Sequence, residues 1–447
     1  MINRARKHVE LSGIIMVAVM LVVPMSAIAG GAQEEAPDEE VSLLIWHQEQ
    51  PSHRIERFQE IFDEFMEEYP NIQVEQQVQT WGEAYARTMS AIQAGREPDL
   101  LFATPDFAAD IRRSGAVQPV DDYISRLGES YTIYDQALNP YRHGGNYWAV
   151  PLFGMNQLLY YRASVFEEAG LDPDSPPETW DELLDYIDIL VESGVVEHGM
   201  GVPASQTLAG DQLIYSLLIT NRAEHLLSED QQSVVFDNPR TVETYEFWQK
   251  LYETSPPGSL GWEWVETQTA LINKNTAFGM ILGGFLLNWH NQADDRGDLR
   301  AAFIPQSADG QPGTYYASNA VMLLSDDSQK QDAALTLLEY LYRPDVMGRF
   351  LNAQPGLFLP VTAEAAESET FWEGTAQEHY REIVELMIEQ SQYGALYGFT
   401  HDEVNPNIGR VGGQHILIQV GQRMVEDGLS AEEAVSWGAE QIRRAID

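Results

Sequence analysis

Residues 146–184 read NYWAVPLFGMNQLLYYRASVFEEAGLDPDSPPETWDELL, and three local signals follow one another along them. Tyr147 to Pro151 is short and apolar and ends on a proline, so it predicts an extended segment that stops sharply. Leu158-Leu159-Tyr160-Tyr161 is a β-prone run leading into a helix from Ala163 to Ala169, closed by Gly170 in the left-handed region. Thr179 before Trp180-Asp181-Glu182 is an N-cap with an acidic first turn, which starts another helix. The chain is expected to leave one compact unit at Pro151 and to begin a second at once.

Outward from this stretch the pattern is regular. Val41 to Trp46 is suited to a buried strand, and Arg54 to Tyr69 places Ile55, Phe58, Ile61, Phe62 and Phe65 on one helical face. Ile72, Val74 and Val78 predict a second strand, and Trp81 to Ala94 a second helix ending at Gly95. Pro98 to Ala103 is a short third strand, followed by a helix from Ala108 to Arg113. Strand and helix in alternation predict an α/β fold with an open, mostly parallel sheet. Beyond Thr179 the chain reads as mainly helical, with turns at Asn238-Pro239 and Pro256-Pro257-Gly258. Ala301 to Pro305 and Gly313 to Leu324 are expected to be a strand leaving the second unit and a strand returning to the first. Gln329 to Tyr342 is a patterned helix stopped by Pro344.

These motifs resemble the extracellular solute-binding proteins of family 1, the receptors of sugar-type ABC importers that include maltose- and glycerol-phosphate-binding proteins. Gly145 to Pro151, Leu159 to Leu171 and Pro177 to Leu183 stand where that family has G-x-x-Y-G-V-P, L-x-Y-N-x-x-L-F-x-x-A-G-L and P-x-T-W-x-E-L. Arg162 replaces the usual asparagine. Pro98 to Leu101, Ser114 to Tyr123 and Asn275 to Gly284 match further family motifs, so the likeness runs from about Val41 to Phe350 and more weakly to the C-terminus. The resemblance implies a two-domain periplasmic-binding-protein fold of class II type, with discontinuous domains joined by hinge crossings. The expected boundaries are 41–150 plus about 313–350 for domain one, and 151–312 plus about 351–447 for domain two.

Composition limits the alternatives. The 447 residues, 44% of them hydrophobic, are enough for two domains with real cores. Arg4, Arg6, Lys7 and His8 precede an apolar run from Leu11 to Val23 and the small-x-small site Ala27-Ile28-Ala29, a pattern that predicts a signal peptide over residues 1–29. Residues 30–40, GGAQEEAPDEE, read as a disordered acidic leader. The chain has no cysteine, which excludes disulfides, thiolate metal sites and a lipidated cysteine, so a free periplasmic monomer is expected. A formal charge of −43, from 69 acidic against 26 basic residues, argues against nucleic acid or an anionic membrane as a partner. The expected partners are a small carbohydrate and the membrane permease subunits of an importer.

No nucleophile elbow, zinc-protease motif, phosphate loop or dinucleotide fingerprint is present. Neither a cofactor nor a metal is therefore expected, and no enzymatic activity. A glycosidase carboxylate pair stays open only because acidic residues are so numerous. Asp294-Asp295-Arg296-Gly297-Asp298 reads as a solvated turn rather than a cation loop.

In open α/β sheets ligands lie beyond the carboxyl ends of the strands. That singles out Trp46, His47 and Gln48 after the first strand, and Asp106, which could equally be an N-cap, after the third. In the second unit it selects Asn156, Gly283, Gly284 and Phe285. Flat rings suit the C–H faces of a sugar, and amides or carboxylates its hydroxyl rim. Trp81, Trp262, Trp264 and Tyr316 are the aromatic candidates, and Asn319 is a polar one. Arg410, among glycines, matches an R-x-G that faces the ligand in the glycerol-phosphate-binding branch. It makes an anionic polyol the alternative ligand.

Overall fold

The computed structural model describes residues 40–401 and 404–447. The expected signal peptide, and the acidic leader up to Glu39, lie outside the described residues. Eleven strands are assigned there: β1 (Val41–His47), β2 (Ile72–Val78), β3 (Leu100–Ala103), β4 (Arg142–His143), β5 (Asn146–Tyr147), β6 (Val150–Arg162), β7 (His198–Gly201), β8 (Thr276–Leu282), β9 (Leu299–Ala302), β10 (Thr314–Leu323) and β11 (Gly394–Ala395). β4 and β5 form a small hairpin.

The other nine make one sheet in the order β2-β1-β3-β10-β6-β8-β7, with β11 beside β10 and β9 beside β6. At one end β2, β1 and β3 run parallel, and at the other β7 and β8 do. Between these wings β6 and β10 are antiparallel partners. The α/β expectation therefore holds, with parallel wings tied by two long antiparallel strands.

The sharp stop at Pro151 does not occur. β6 runs unbroken for 13 residues through it. The register against β10 pairs Asn319 with Phe153 but Ala320 with Pro151, so a bulge falls at this place. Proline has no N–H to give a ladder, and the bulge is where the ladder is interrupted anyway. The proline marks an irregularity inside one strand.

Local signals elsewhere translate directly. Phe58, Ile61, Phe62 and Phe65 are buried along helix Ser52–Glu68. Gly170 closes helix Ala163–Ala169 at φ 80°, and Thr179 makes a full capping box with Glu182. Pro344 both ends helix Ser328–Leu341 and opens helix Pro344–Leu351. The strand expected at Ala301 to Pro305 is β9, which begins two residues and ends three residues earlier.

Two large aromatic cores flank the sheet. In one, Phe58 stacks on Phe350 at 4.5 Å and Phe153 on Phe358 at 3.9 Å. In the other, Trp180 stacks on Phe247 at 4.2 Å beside the fully buried Trp248 and Tyr245.

Arg162 explains its own departure from the family pattern. It is wholly buried and donates from Nε to Asp298 at 2.7 Å and from Nη1 to the Ile272 carbonyl at 2.8 Å; Nη2 binds Asp294. Its guanidinium lies 4.8 Å from the Trp289 ring centroid. Asp294 to Gly297 are exposed, as expected of a solvated turn; Asp298 alone departs from it, being buried and also accepting from the Ser164 N–H at 2.6 Å.

Candidate functional site

The carboxyl ends of β1, β2 and β3 gather polar side chains that the fold buries. Trp46, Gln48, Gln79 and Thr88 are each more than nine-tenths buried. The Gln79 N–H donates to the His47 carbonyl at 2.8 Å, which sets the two strand ends side by side. Gln48 Nε2 donates to the Phe102 carbonyl at 3.1 Å. Its Oε1, both amide atoms of Gln79, the Thr88 hydroxyl and the Trp46 indole N–H have no partner among the described residues. Buried polar groups are normally satisfied, so these ends are built for hydrogen bonding with something further.

His47 does not belong with them. Its Nδ1 accepts from the Glu49 N–H at 3.2 Å, which places the proton on Nε2, and Nε2 donates to Gln76 Oε1 at 2.9 Å. The ring packs on Phe58 and Phe102. Burial holds its pKa below the usual imidazole value, against the pull of the Gln76 bond. It is a neutral packing residue with both nitrogens engaged.

Asp106 lies in the first turn of helix Pro105–Arg112, whose N-cap is Thr104. The expected capping role is therefore not its own; instead its carboxylate accepts from the Thr104 hydroxyl at 2.6 Å. Burial, joined by the Asp106 charge, raises the pKa values of Tyr141, Tyr315 and Tyr397. The charge of this carboxylate is therefore felt by all three phenols.

The second wing supplies the facing groups. Tyr315 is hydrogen-bonded to Gln212 of helix Leu208–Thr220, and Trp264 Nε1 donates to Gln212 Oε1 at 3.0 Å. The Tyr397 hydroxyl sits where a Cβ on Gly412 would come within 2.6 Å. Asp211, next to Gln212, accepts from the Ile418 N–H at 2.9 Å and pairs with His415 at 2.8 Å, while burial raises its pKa. The two sides also touch directly, because Arg113 donates to the Pro406 carbonyl and to Asn407 Oδ1, both at 3.0 Å.

Of the residues singled out from the sequence, Trp46, Gln48, Asp106 and Trp264 come to this region, and Trp81 opens helix Trp81–Gln93 beside it. Asn319 is buried on β10 with both amide atoms unpartnered, at the bulge. Trp262 is half-buried at the end of a short turn, and Trp264 begins helix Trp264–Ile272, so the two indoles share neither a strand face nor a loop.

The rest are corrections. Phe285 is fully buried, edge-on to Tyr160 and Trp289. A Cβ on Gly283 would come within 1.9 Å of the Gly356 carbonyl oxygen, so this glycine admits a neighbouring backbone rather than a ligand, while one on Gly284 would make ordinary contact with the Leu357 side chain at 3.4 Å. Asn156 donates to the Met387 carbonyl and Ser391 Oγ, tying down a helix. Tyr316 is buried with Ala137 and Val361. Arg410 is exposed, reaching the Ala445 carbonyl at 3.4 Å.

Gly283→Ala is accordingly expected to lower stability by about 3 kcal/mol, since backbone cannot step aside as a side-chain tip can. Chemical denaturation checks this, and an unchanged midpoint would return Gly283 to the list of ligand contacts.

Gln79, Thr88, Gln212 and Tyr397 were not foreseen. Gln79 follows β2 just as Gln48 follows β1, so the strand-end rule could have found it. Gln212 and Tyr397 carry no comparable signal, being a helix residue and a loop residue brought in by packing.

The sequence profile of the bacterial extracellular solute-binding proteins matches residues 52–348. A binding protein of Brucella abortus (strain 2308) is 23% identical over 316 residues, covering 70% of this chain and 74% of that one. Among solved structures, an ABC transporter solute-binding protein of Thermotoga lettingae bound with alpha-D-tagatose superposes with a TM-score of 0.73 at 22% identity, over 91% of this chain and 100% of that one. The glycerophosphocholine complex of UgpB from Mycobacterium tuberculosis superposes with a TM-score of 0.70 at 16% identity, over 91% and 98%.

Proposed function

Because this chain belongs to the bacterial extracellular solute-binding proteins, we propose that it is the receptor of an ABC importer and captures a neutral carbohydrate between two lobes. It acts as a monomer in the periplasm, presents its closed form to permease subunits and catalyses nothing. The lobes are 41–150 with about 313–350, and 151–312 with about 351–447, exchanging chain along β6 and β10. One observation carries the choice of ligand. The groups gathered at the strand ends are mostly amides, hydroxyls, carboxylates and indoles; of the guanidiniums there, that of Arg87 lies 5.9 Å from the Trp46 ring centroid on an exposed side chain, and that of Arg54 is taken up by the buried Glu49. Amides both accept from and donate to sugar hydroxyls and a carboxylate accepts from them, whereas an anion needs buried cations.

The anionic alternative rested on Arg410, which is exposed here and donates to the Ala445 carbonyl. The UgpB likeness supports it only at the level of the fold.

Calorimetric titration with neutral mono- and oligosaccharides and with glycerol 3-phosphate tests the reading. Saturable binding of a neutral sugar is expected, with Arg410→Gln within about threefold of wild type, as for an exposed charge. Preference for the phosphate, lost in Arg410→Gln, would overturn it. Closure has its own test. Small-angle scattering should show a smaller radius of gyration with saturating sugar, and an identical profile would remove the two-lobe mechanism while leaving the binding intact.

A further inference from the structure

Away from the strand ends, a concavity of about 420 Å³ opens between β9 and helix Arg381–Ser391. In a chain with 26 basic and 69 acidic residues, its lining includes Arg296, Arg300, Arg381 and His379. Each guanidinium is anchored at one edge and keeps others to offer. Arg296 donates from Nε to the His290 carbonyl at 2.6 Å, and it has no carboxylate partner among the described residues. Arg300 donates from Nη1 to the Gly297 and Leu299 carbonyls, both at 3.0 Å, and its nearest carboxylate, Asp174, is 4.0 Å away. Arg381 holds Glu385 with Nε at 2.9 Å and lies 4.3 Å from the Trp372 ring centroid. Anchored forks of this kind recognise tetrahedral oxyanions without paying again for side-chain ordering.

Two further observations point the same way. Tyr380 lines the concavity, is 3% exposed, and its hydroxyl has no partner among the described residues. Burial pushes that phenol up to about 12 while Arg296 pulls it down, which places the hydroxyl near the guanidinium. The 11-residue helix starting at Arg381 has no side-chain cap, and its first three residues, Arg381 to Ile383, line the same space, which puts the positive dipole end of the helix at its edge. Glu378 and Glu382 also line it and oppose an anion.

We propose that this concavity is a second ligand site, separate from the carbohydrate cleft, which binds a phosphate-type oxyanion through Arg296, Arg300, Arg381 and the Tyr380 hydroxyl.

The full-length protein titrated with inorganic phosphate, and with phosphoethanolamine as a monoester, against potassium chloride of equal ionic strength, tests this. Saturable binding is expected. Tighter binding of the monoester would mark an organic phosphate as the occupant, and equal binding the bare anion. Arg296→Gln combined with Arg381→Gln should weaken binding at least about tenfold, and Tyr380→Phe about threefold. Glu378→Gln with Glu382→Gln should strengthen it. Carbohydrate affinity should be unchanged in every variant, which also verifies folding and separates this site from the cleft. Absence of saturable phosphate binding, or equal affinity in the double arginine variant, overturns the proposal.

Discussion

Replacing Arg162 by methionine is expected to destabilise the protein by about 3–5 kcal/mol, the usual cost of removing one partner from a buried ion pair. The side chain is fully buried, and its loss would leave Asp298 buried with only the Ser164 N–H and hydroxyl as donors. It would also release the Ile272 carbonyl and the face of Trp289. These contacts join the end of β6, the start of helix Ala163–Ala169, the turn at Asp298 and the helix that ends at Ile272, so one residue fastens four segments. Arg162→Lys should recover only part of the loss, because an ammonium cannot span Nε, Nη1 and Nη2 geometry. Arg162→Met with Asp298→Asn should be milder than Arg162→Met alone, since the uncompensated charge is gone. Urea denaturation of the three variants reads these differences. A single-variant effect below about 1 kcal/mol, the range of exposed pairs, would show the network to be ornamental.

Asp106→Ala is expected to cost the largest part of carbohydrate affinity, about 2–4 kcal/mol or thirty- to a thousandfold, as for charged hydrogen-bond anchors in an enclosed site. The charge of this carboxylate acts on all three phenols, Tyr141, Tyr315 and Tyr397, whereas that of Asp211 acts on Tyr315 and Tyr397, and the Thr104 hydroxyl is bonded to Asp106 Oδ1. A carboxylate can accept from two adjacent sugar hydroxyls at once, which neither an amide nor a phenol can do equally well. Stability without ligand should fall little, by about 0.5 kcal/mol, because Asp106 also favours the positive end of its own short helix. Calorimetry of Asp106→Ala and Asp106→Asn checks this. Intact affinity together with a large loss of stability would make the residue a structural one.

The sequence by itself determined many of the elements and their order. Periodicity in Ser52–Glu68, the glycine after Ala169 and the capping box at Thr179 act within a few residues, and local interactions suffice to set them. Trp46, Gln48 and Asp106 were legible because the carboxyl ends of parallel strands are a consequence of the strand pattern itself. Pro151, Gly283, Gly284, Phe285 and Arg162 were not legible in that way. Whether a proline ends a strand or sits in a bulge depends on what β10 offers opposite it. Whether Gly283 receives a ligand or the backbone at Gly356 depends on a segment more than seventy residues later. Gln212 and Tyr397 join the site only because helix Leu208–Thr220 and the loop before Gly398 pack beside β10. Side-chain burial and polar partnership are set by contacts distant in sequence, so only the folded chain decided which aromatic residues are core, which glycines are packing, and which arginine is held by two aspartates.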